Sequence, residues 1–379
     1  MEDEPCVQES VRQLESLIRA EIASARGILS FARFMELALY APDLGYYERE
    51  EPIVGRAGDF YTSVSVGPLL GELIGFRIAG WLEALPEGPL HLVEAGAHTG
   101  KLSLDLLRHL RSHHPDLADR VRLCLVEPSS RRQGWQRETL RDLVGTVSWF
   151  TTLQDLHRSH PCLQGVLYAN ELLDAFPVHC AAWNRARGRW GELGVGWENG
   201  RFVWVPLVEP SPTSRAGLQR LTELPGELLD LLPEGFRVEL APAAADWWRE
   251  AAGCVQGGWL VTLDYGLSDL EFLMPHRAAG TLRTYHQHRP GGDPLDQPGL
   301  QDLTAHIHWD DIRSAGEEAG LSTETLTSQR QWLSGILAAT VKSGERFPEW
   351  DASRVRQFQT LTHPEHLGQA FRVLVQSRG

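Results

Sequence analysis

Between His91 and Leu110 the chain reads HLVEAGAHTGKLSLDLLRHL, in which an apolar run ends in an acid, Glu94, and passes through a glycine turn into a helical pattern. Leu90, Leu92 and Val93 form the run, Gly96 and Gly100 bracket the turn, and Leu102, Leu106 and Leu110 recur at i, i+4 and i+8, the buried stripe of a helix. Glycines let a backbone come close to a ligand, and the first turn of a helix offers unpaired N–H groups. Such a strand, turn and helix can hold a nucleotide-type molecule. A dinucleotide would require G-x-G-x-x-G, and here His98 and Lys101 occupy the places of the second and third glycines. The pattern therefore argues against a nicotinamide dinucleotide.

Two further groups have the residue types of a site. Glu127 ends a second apolar run, 121–127, and lies 27 residues beyond Gly100. A carboxylate at that place can accept both hydroxyls of a ribose, whereas the plain alternative is a solvated acid at a strand end. Asn170, Glu171 and Asp174 follow the run 165–170 within ANELLDAFPV. Two acids and an amide are costly to bury unpartnered, so they either cap the next helix or face a cation at the ligand-binding edge of a sheet. His286 with His288, and His306 with His308, form two H-x-H pairs. No acid or cysteine sits at ligand spacing within either pair, so hydrogen-bonding histidines are expected there and a metal is not.

Alternating strands and helices must position these residues. Runs at 121–127, 145–150, 165–170 and 258–266 read as strands with helix-like segments between the earlier ones, which implies an α/β fold with a parallel, doubly wound, Rossmann-like sheet. Val7, Val11, Leu14, Ile18 and Ile22 mark an amphipathic helix, and FARFMELALY a second; both precede the first core strand and are expected to cap it. From Pro177 to about Cys254 the alternation stops. Trp183, Trp190, Trp197 and Trp204 fall seven apart, but the glycines among them exclude a heptad helix and favour a hairpin meander with buried tryptophans. The expected organisation is a helical cap over 1–80, a core over 81–176 and 256–379, and a subdomain of 177–255 inserted after the fourth strand. A Pro/Gly loop at 289–299 precedes a helix near 309–319 and the last two strands, LSTETLT and AFRVLVQS.

Composition bounds the partners. The 379 residues carry 36 Lys and Arg against 50 Asp and Glu, a formal charge of −14, which argues against nucleic acid as the main partner. Arg131, Arg132 and Arg137 are the nearest approach to a basic patch and are expected on a solvated helix face. The five cysteines are scattered with no C-x-x-C pair, which suggests neither a disulfide framework nor a zinc site. An acidic N-terminus without a signal core or transit pattern, and no long apolar run, lead to the expectation of a cytoplasmic protein without a membrane span. A homodimer is compatible with all of this.

Seven segments carry a family resemblance. FARFMELALYAPDLGYY, GRAGDFYTSVSVGPLLGELIG, VEAGAHTGKLSLDLL, NELLDAFPV, GGWLVTLDYG, GTLRTYHQH and DLTAHIHW follow one another in the order found in the MidA family of class I S-adenosylmethionine-dependent methyltransferases. The chain resembles that family over nearly its whole length. The resemblance implies a Rossmann-like catalytic sheet with a family-specific insertion, S-adenosylmethionine as cofactor, and a protein substrate with arginine as acceptor, a respiratory-complex subunit being one candidate. It implies that Gly58, Asp59 and Phe60 cover the methionine end of the cofactor, while Glu94, Gly96, His98, Gly100 and Glu127 hold the rest and Asn170 stands close to it. Glu171 and Asp174, with Asp59, are then the carboxylates for a guanidinium. Two departures stand out: His98 within a turn that in the family reads G-P-G-x-G, and Ser63-Val64-Ser65 where the family has Ser-Pro-Glu. They motivate a rival from another class, an assembly or interaction protein whose cofactor site has decayed. A nicotinamide oxidoreductase is a third reading, weakened by the missing glycines.

Overall fold

A computed structural model describes residues 4–48, 62–286, 289–364 and 367–379. Strand β1 (Leu29–Ser30) is a stub between the helices Glu4–Ser24 and Phe31–Tyr40, and helix Leu69–Glu83 leads into β2 (Leu90–Ala95). Alternation continues through helix Lys101–His113, β3 (Val121–Val126), helix Ser130–Thr139, β4 (Val147–Phe150), helix Leu153–Ser159 and β5 (Leu163–Asn170). Next come β6 (His179–Asn184), β7 (Arg189–Glu198), β8 (Arg201–Pro206) and β9 (Arg237–Leu240), after which helix Pro242–Cys254 returns the chain to β10 (Val255–Leu267). A small sheet of β11 (Arg283–His286), β12 (Arg289–Pro290) and β13 (Asp302–Thr304) precedes β14 (Ile307–His308) and helix Trp309–Glu318. The chain ends with β15 (Ser322–Ser328), helices including Gln329–Thr340 and Ala352–Thr362, and β16 (Phe371–Arg378).

The main sheet runs β15-β16-β10-β5-β2-β3-β4. All six residues of β2 are buried, as a strand covered by helices on both faces requires. Neighbours from β4 to β10 are parallel, but β16 lies antiparallel between β10 and β15. The antiparallel β16 is an addition to the parallel, doubly wound core expected from the sequence. The segment after β15 leaves and re-enters at the same edge of the sheet, so its last strand must run the other way. From β2 the chain winds outward to β3 and β4, then crosses back to place β5 on the other side of β2. That reversal opens a crevice at the carboxyl ends of β2 and β5.

The second sheet, β1-β7-β6-β9 with β8 on β7, is the antiparallel meander expected from the glycine-rich tryptophan segment. Trp183 and Trp190 are buried and pack 5.5 Å apart, ring centre to ring centre, and Trp204 lies 4.7 Å from Phe31. Here one expectation gives way. Leu14, Ile18, Phe31 and Phe34 of the two N-terminal helices pack with Val178, just before β6, and with Cys180 and Val195 of the second sheet, rather than capping the first core strand. Their apolar stripe needs a sheet face, and the main sheet is covered instead by Leu69–Glu83, Lys101–His113 and Gln329–Thr340 on one side and Leu153–Ser159, Pro242–Cys254 and Trp309–Glu318 on the other. Among the described residues no helix is long and apolar enough to cross a membrane.

Candidate functional site

The carboxyl ends of β2, β3, β4, β5 and β10 open into a cavity of about 1210 Å³. Gly96 at φ 69°, His98 at φ 46° and Gly100 at φ 81° make a left-handed turn at the end of β2. A Cβ on Gly96 would stand 2.7 Å from Leu172, so the turn is shaped around a residue that follows β5. Gly100 at the N-cap has no side chain to cap the Lys101–His113 helix; Ser103 N–H is taken by the Glu94 carboxylate, and the N–H groups of Lys101 and Leu102 are left for whatever fills the cavity. His98 lies 5.7 Å from the ring of Trp135; burial and the nearby Arg132 guanidinium bring its imidazole down to about 4, so it is neutral.

Glu94 is buried beneath this turn, where it accepts hydrogen bonds from Ser103 Oγ and, at 3.1 Å, from Tyr168 OH. Burial pushes its carboxyl up to about 7. Glu127 is 1% exposed, so it is not a solvated strand end. Its Oε1 accepts from Ser129 N at 3.0 Å and Arg132 Nε at 2.9 Å, and its Oε2 from Gln136 Nε2 at 3.2 Å. Arg132 therefore leaves the solvated face expected for it: its side chain is 12% exposed and its guanidinium neutralises Glu127. A buried carboxylate needs such a partner, and a helix that packs over the strand end supplies one.

Asn170, Glu171 and Asp174 do converge on the cavity. Glu171 sits at φ 51°, and its Oε1 accepts from Ser63 N at 3.0 Å and Asn170 Nδ2 at 3.1 Å. Asn170 Oδ1 is buried without a hydrogen-bond partner. Asp174 lies in a 3-10 turn, Leu173–Ala175, fastened from the far side by Ala305 N to Asp174 O at 2.9 Å. Gly58, Asp59 and Phe60 lie outside the described residues.

The structure adds residues that the sequence reading did not select. Asp264, fully buried near the end of β10, accepts from Leu172 N at 3.1 Å, Leu173 N at 2.8 Å and Tyr265 N at 2.8 Å, and so anchors the turn that carries Asp174. Asp264 and Tyr265 stand near the carboxyl end of the strand in GGWLVTLDYG, the same strand-edge position that marks Asn170. Asp302, on the three-residue β13, has no such signal; pairing with Tyr285 of β11 brings it to the cavity. Tyr40 and Tyr47, stacked 5.5 Å apart, wall the same end, and burial raises both phenols well above their ordinary range. His306 lines the cavity, whereas His308 Nε2 pairs with the Glu239 carbonyl at 2.7 Å; His288 lies outside the described residues.

Burial also raises Glu171 and Asp264 to about 7, and Asp174 well above the usual carboxylate range beside Asp264 and Asp302. These groups give the site a titration with a definite sign. The folded protein keeps protons on Glu94, Glu171 and Asp264 that the unfolded chain releases near 3.8 to 4.5. Stability from these groups is complete at low pH and declines as pH rises through about 7. Urea midpoints should therefore be lower at about pH 8 than at about pH 5.5, with a smaller fall in Asp264→Asn. Equal midpoints in the native protein would show that these carboxyls ionise normally.

The cavity suits a nucleoside carrying a positive charge better than a pyrophosphate. Its carboxylates outnumber its cations, and two of those cations are already engaged: Lys101 by Asp105 and Arg132 by Glu127. The orphaned Asn170 Oδ1 and the uncapped helix start provide an acceptor and donors for such a molecule.

Known proteins resemble the chain in the same sense. A family model described as "Putative S-adenosyl-L-methionine-dependent methyltransferase" matches residues 73–327. Protein arginine methyltransferase NDUFAF7, mitochondrial, from Danio rerio is 26% identical, covering 92% of this chain and 83% of the relative. The Drosophila melanogaster homologue is 26% identical over 97% and 85%. These relatives are mitochondrial proteins, which overturns the expectation of a cytoplasmic location. A crystal structure from Burkholderia thailandensis, bound to S-adenosyl-homocysteine, is 31% identical and superposes with a TM-score of 0.85 over 99% of this chain and 94% of that one. A family model spanning more than half of the chain, and a near full-length structural match above 30% identity, show that this chain belongs to the family of S-adenosyl-L-methionine-dependent methyltransferases.

Proposed function

We propose that this protein methylates an arginine side chain of a protein substrate. The observation that carries the reading is the gathering of Glu171, Asp174 and Asp302 with Tyr40, Tyr47 and Tyr285 at one end of the cofactor cavity. Bound S-adenosylmethionine supplies a methyl group already activated by its sulfonium, so the chain has mainly to position the acceptor and shape its charge. A guanidinium stays protonated in water and is best held by carboxylates. The relatives named as protein arginine methyltransferases agree with that acceptor. A decayed site is not favoured, since His98 is accommodated in its left-handed turn beside Trp135.

In this reading Gly96, His98 and Gly100 present backbone to the cofactor, Glu127 accepts the ribose hydroxyls, and Glu94 and Asn170 stand at the methionine end. Asp59, Gly58 and Phe60 are proposed as a cover for that end. Segments 81–176 and 256–379 hold the cofactor. Segment 177–255, with helices Glu4–Ser24 and Phe31–Tyr40 packed on its sheet, faces the substrate, except for its closing helix Pro242–Cys254, which lies against the main sheet. Arg132 needs a partner, so Glu127→Gln is a better test of the ribose contact than an alanine.

The first measurement is a melting scan with S-adenosylmethionine, S-adenosyl-homocysteine and NAD in turn. A ligand at about 100 times its dissociation constant stabilises by roughly 2.7 kcal/mol, and a shift is expected with the first two alone. The second is transfer of labelled methyl to proteins of a lysate from the source organism lacking this enzyme, with the mark located by mass spectrometry. Label on lysine or on a small molecule would sink the arginine assignment.

A further inference from the structure

One carboxylate of the cavity has no part in the reading above. Glu250 sits on helix Pro242–Cys254 at the cavity wall, half-buried, and its Oε1 is buried without a hydrogen-bond partner. Four residues on, and so on the same helix face, Cys254 Sγ contacts Leu153 O at 3.6 Å. That contact places Glu250 one helical turn from the start of the Leu153–Ser159 helix, just past the end of β4. One turn toward the N-terminus, Trp247 reaches the cavity against Phe176, with ring centres 6.0 Å apart.

The sheet order says which part of a nucleoside cofactor lies there. If Glu127 at the end of β3 holds the ribose, and the turn after β2 and Asn170 after β5 hold the amino-acid end, the base extends the opposite way, over the end of β4. The turn after β4 has little to offer an adenine amine. Thr152 Oγ1 caps its own helix through Asp155 N at 3.1 Å and also bonds the Asp155 carboxylate at 2.9 Å. Asp155 is tied to Arg158 as well. Thr151 and Gln154 of the turn also line the cavity but are exposed, so the buried, unpartnered acceptor beside it is Glu250 Oε1.

We infer that Glu250 recognises the exocyclic amine of the adenine and makes the site selective for adenine over a 6-oxo purine, with Trp247 walling the base. The inference rests on the cofactor assignment above and goes beyond it by naming the group that reads the base. A carboxylate accepts from an amine and repels a carbonyl oxygen, so its side chain discriminates the two in both directions.

The test is calorimetric titration of the full chain and its Glu250→Gln and Glu250→Ala variants with S-adenosyl-homocysteine and with its 6-oxo analogue, S-inosyl-homocysteine. The native protein should prefer the amine form by about tenfold to a hundredfold, the worth of one charge-assisted hydrogen bond. Glu250→Ala should lose most of that preference through weaker binding of the amine form. Glu250→Gln, whose amide can donate to a carbonyl, should bind the 6-oxo form more tightly than the native protein does, a gain that misfolding cannot produce. An unchanged preference in both variants overturns the inference while leaving the cofactor assignment standing. A native protein that binds neither compound overturns both.

Discussion

Replacing Asp174 with asparagine is expected to slow methyl transfer by about tenfold to over a hundredfold while leaving S-adenosyl-homocysteine binding nearly unchanged. Asp174 is 6% exposed and faces Asp264 and Asp302, and among the described residues no side-chain donor bonds its carboxylate. Asp264 stands behind the turn that it anchors through the backbone N–H groups of Leu172, Leu173 and Tyr265, and it is not among the residues that line the cavity. A buried carboxylate among like charges is costly until a cation arrives. A guanidinium bound there gains a charge-assisted hydrogen bond of about 1.5 to 3 kcal/mol, which the amide removes without changing shape. Single-turnover rates with a methyl-accepting substrate, set beside calorimetric titration of the cofactor product, separate the two effects. The variant should also be no less stable than the native protein at about pH 8, since it relieves like-charge repulsion. A full rate in folded Asp174→Asn would remove this carboxylate from the mechanism.

The largest effect on stability is expected at Gly258, well away from the chemistry. His91 of β2, Gly165 of β5 and Gly258 of β10 stand side by side in register across the parallel sheet. Gly258 is at φ 121°, and a Cβ there would lie 1.9 Å from the carbonyl oxygen of Gly165; a Cβ on Gly165 would meet His91 O at the same distance. Backbone atoms cannot give way as the end of a flexible side chain can. Gly258→Ala combines an unfavourable φ with this overlap and should destabilise by about 3 kcal/mol or more, measured as a lowered urea midpoint. Because β10 also carries Asp264, cofactor binding should weaken as the strand shifts. A midpoint within experimental error of the native value would mean that the strands separate without cost.

How much of this was legible beforehand depends on how local each feature is. The turn from Gly96 to Gly100 could be read directly, because φ preference, apolar spacing and the glycine pair are properties of neighbouring residues. Strand ends were legible for the same reason, and with them Glu94, Glu127, Asn170, Glu171 and Asp174. The meander of 177–255 followed from glycines that a heptad helix would not tolerate. The resemblance supplied the cofactor.

What local pattern could not show is which distant residues complete these sites. Glu127 could be picked out at its strand end, but not the partners Arg132 and Gln136 that fold over it. Asp302, on a strand of three residues with no periodicity to mark it, joins Asp174 because Ala305 hydrogen-bonds back across 131 residues of chain. The N-terminal helices chose the inserted sheet because the faces of the main sheet were already covered. The αβ alternation, the left-handed turn and the acids at the strand ends are thus written in local pattern, since each depends on residues a few places apart. How those acids are neutralised, which of them stay without a cation, and the approach of Glu250 on a distant helix to the end of β4 arise on folding, because burial and charge pairing depend on which surfaces meet.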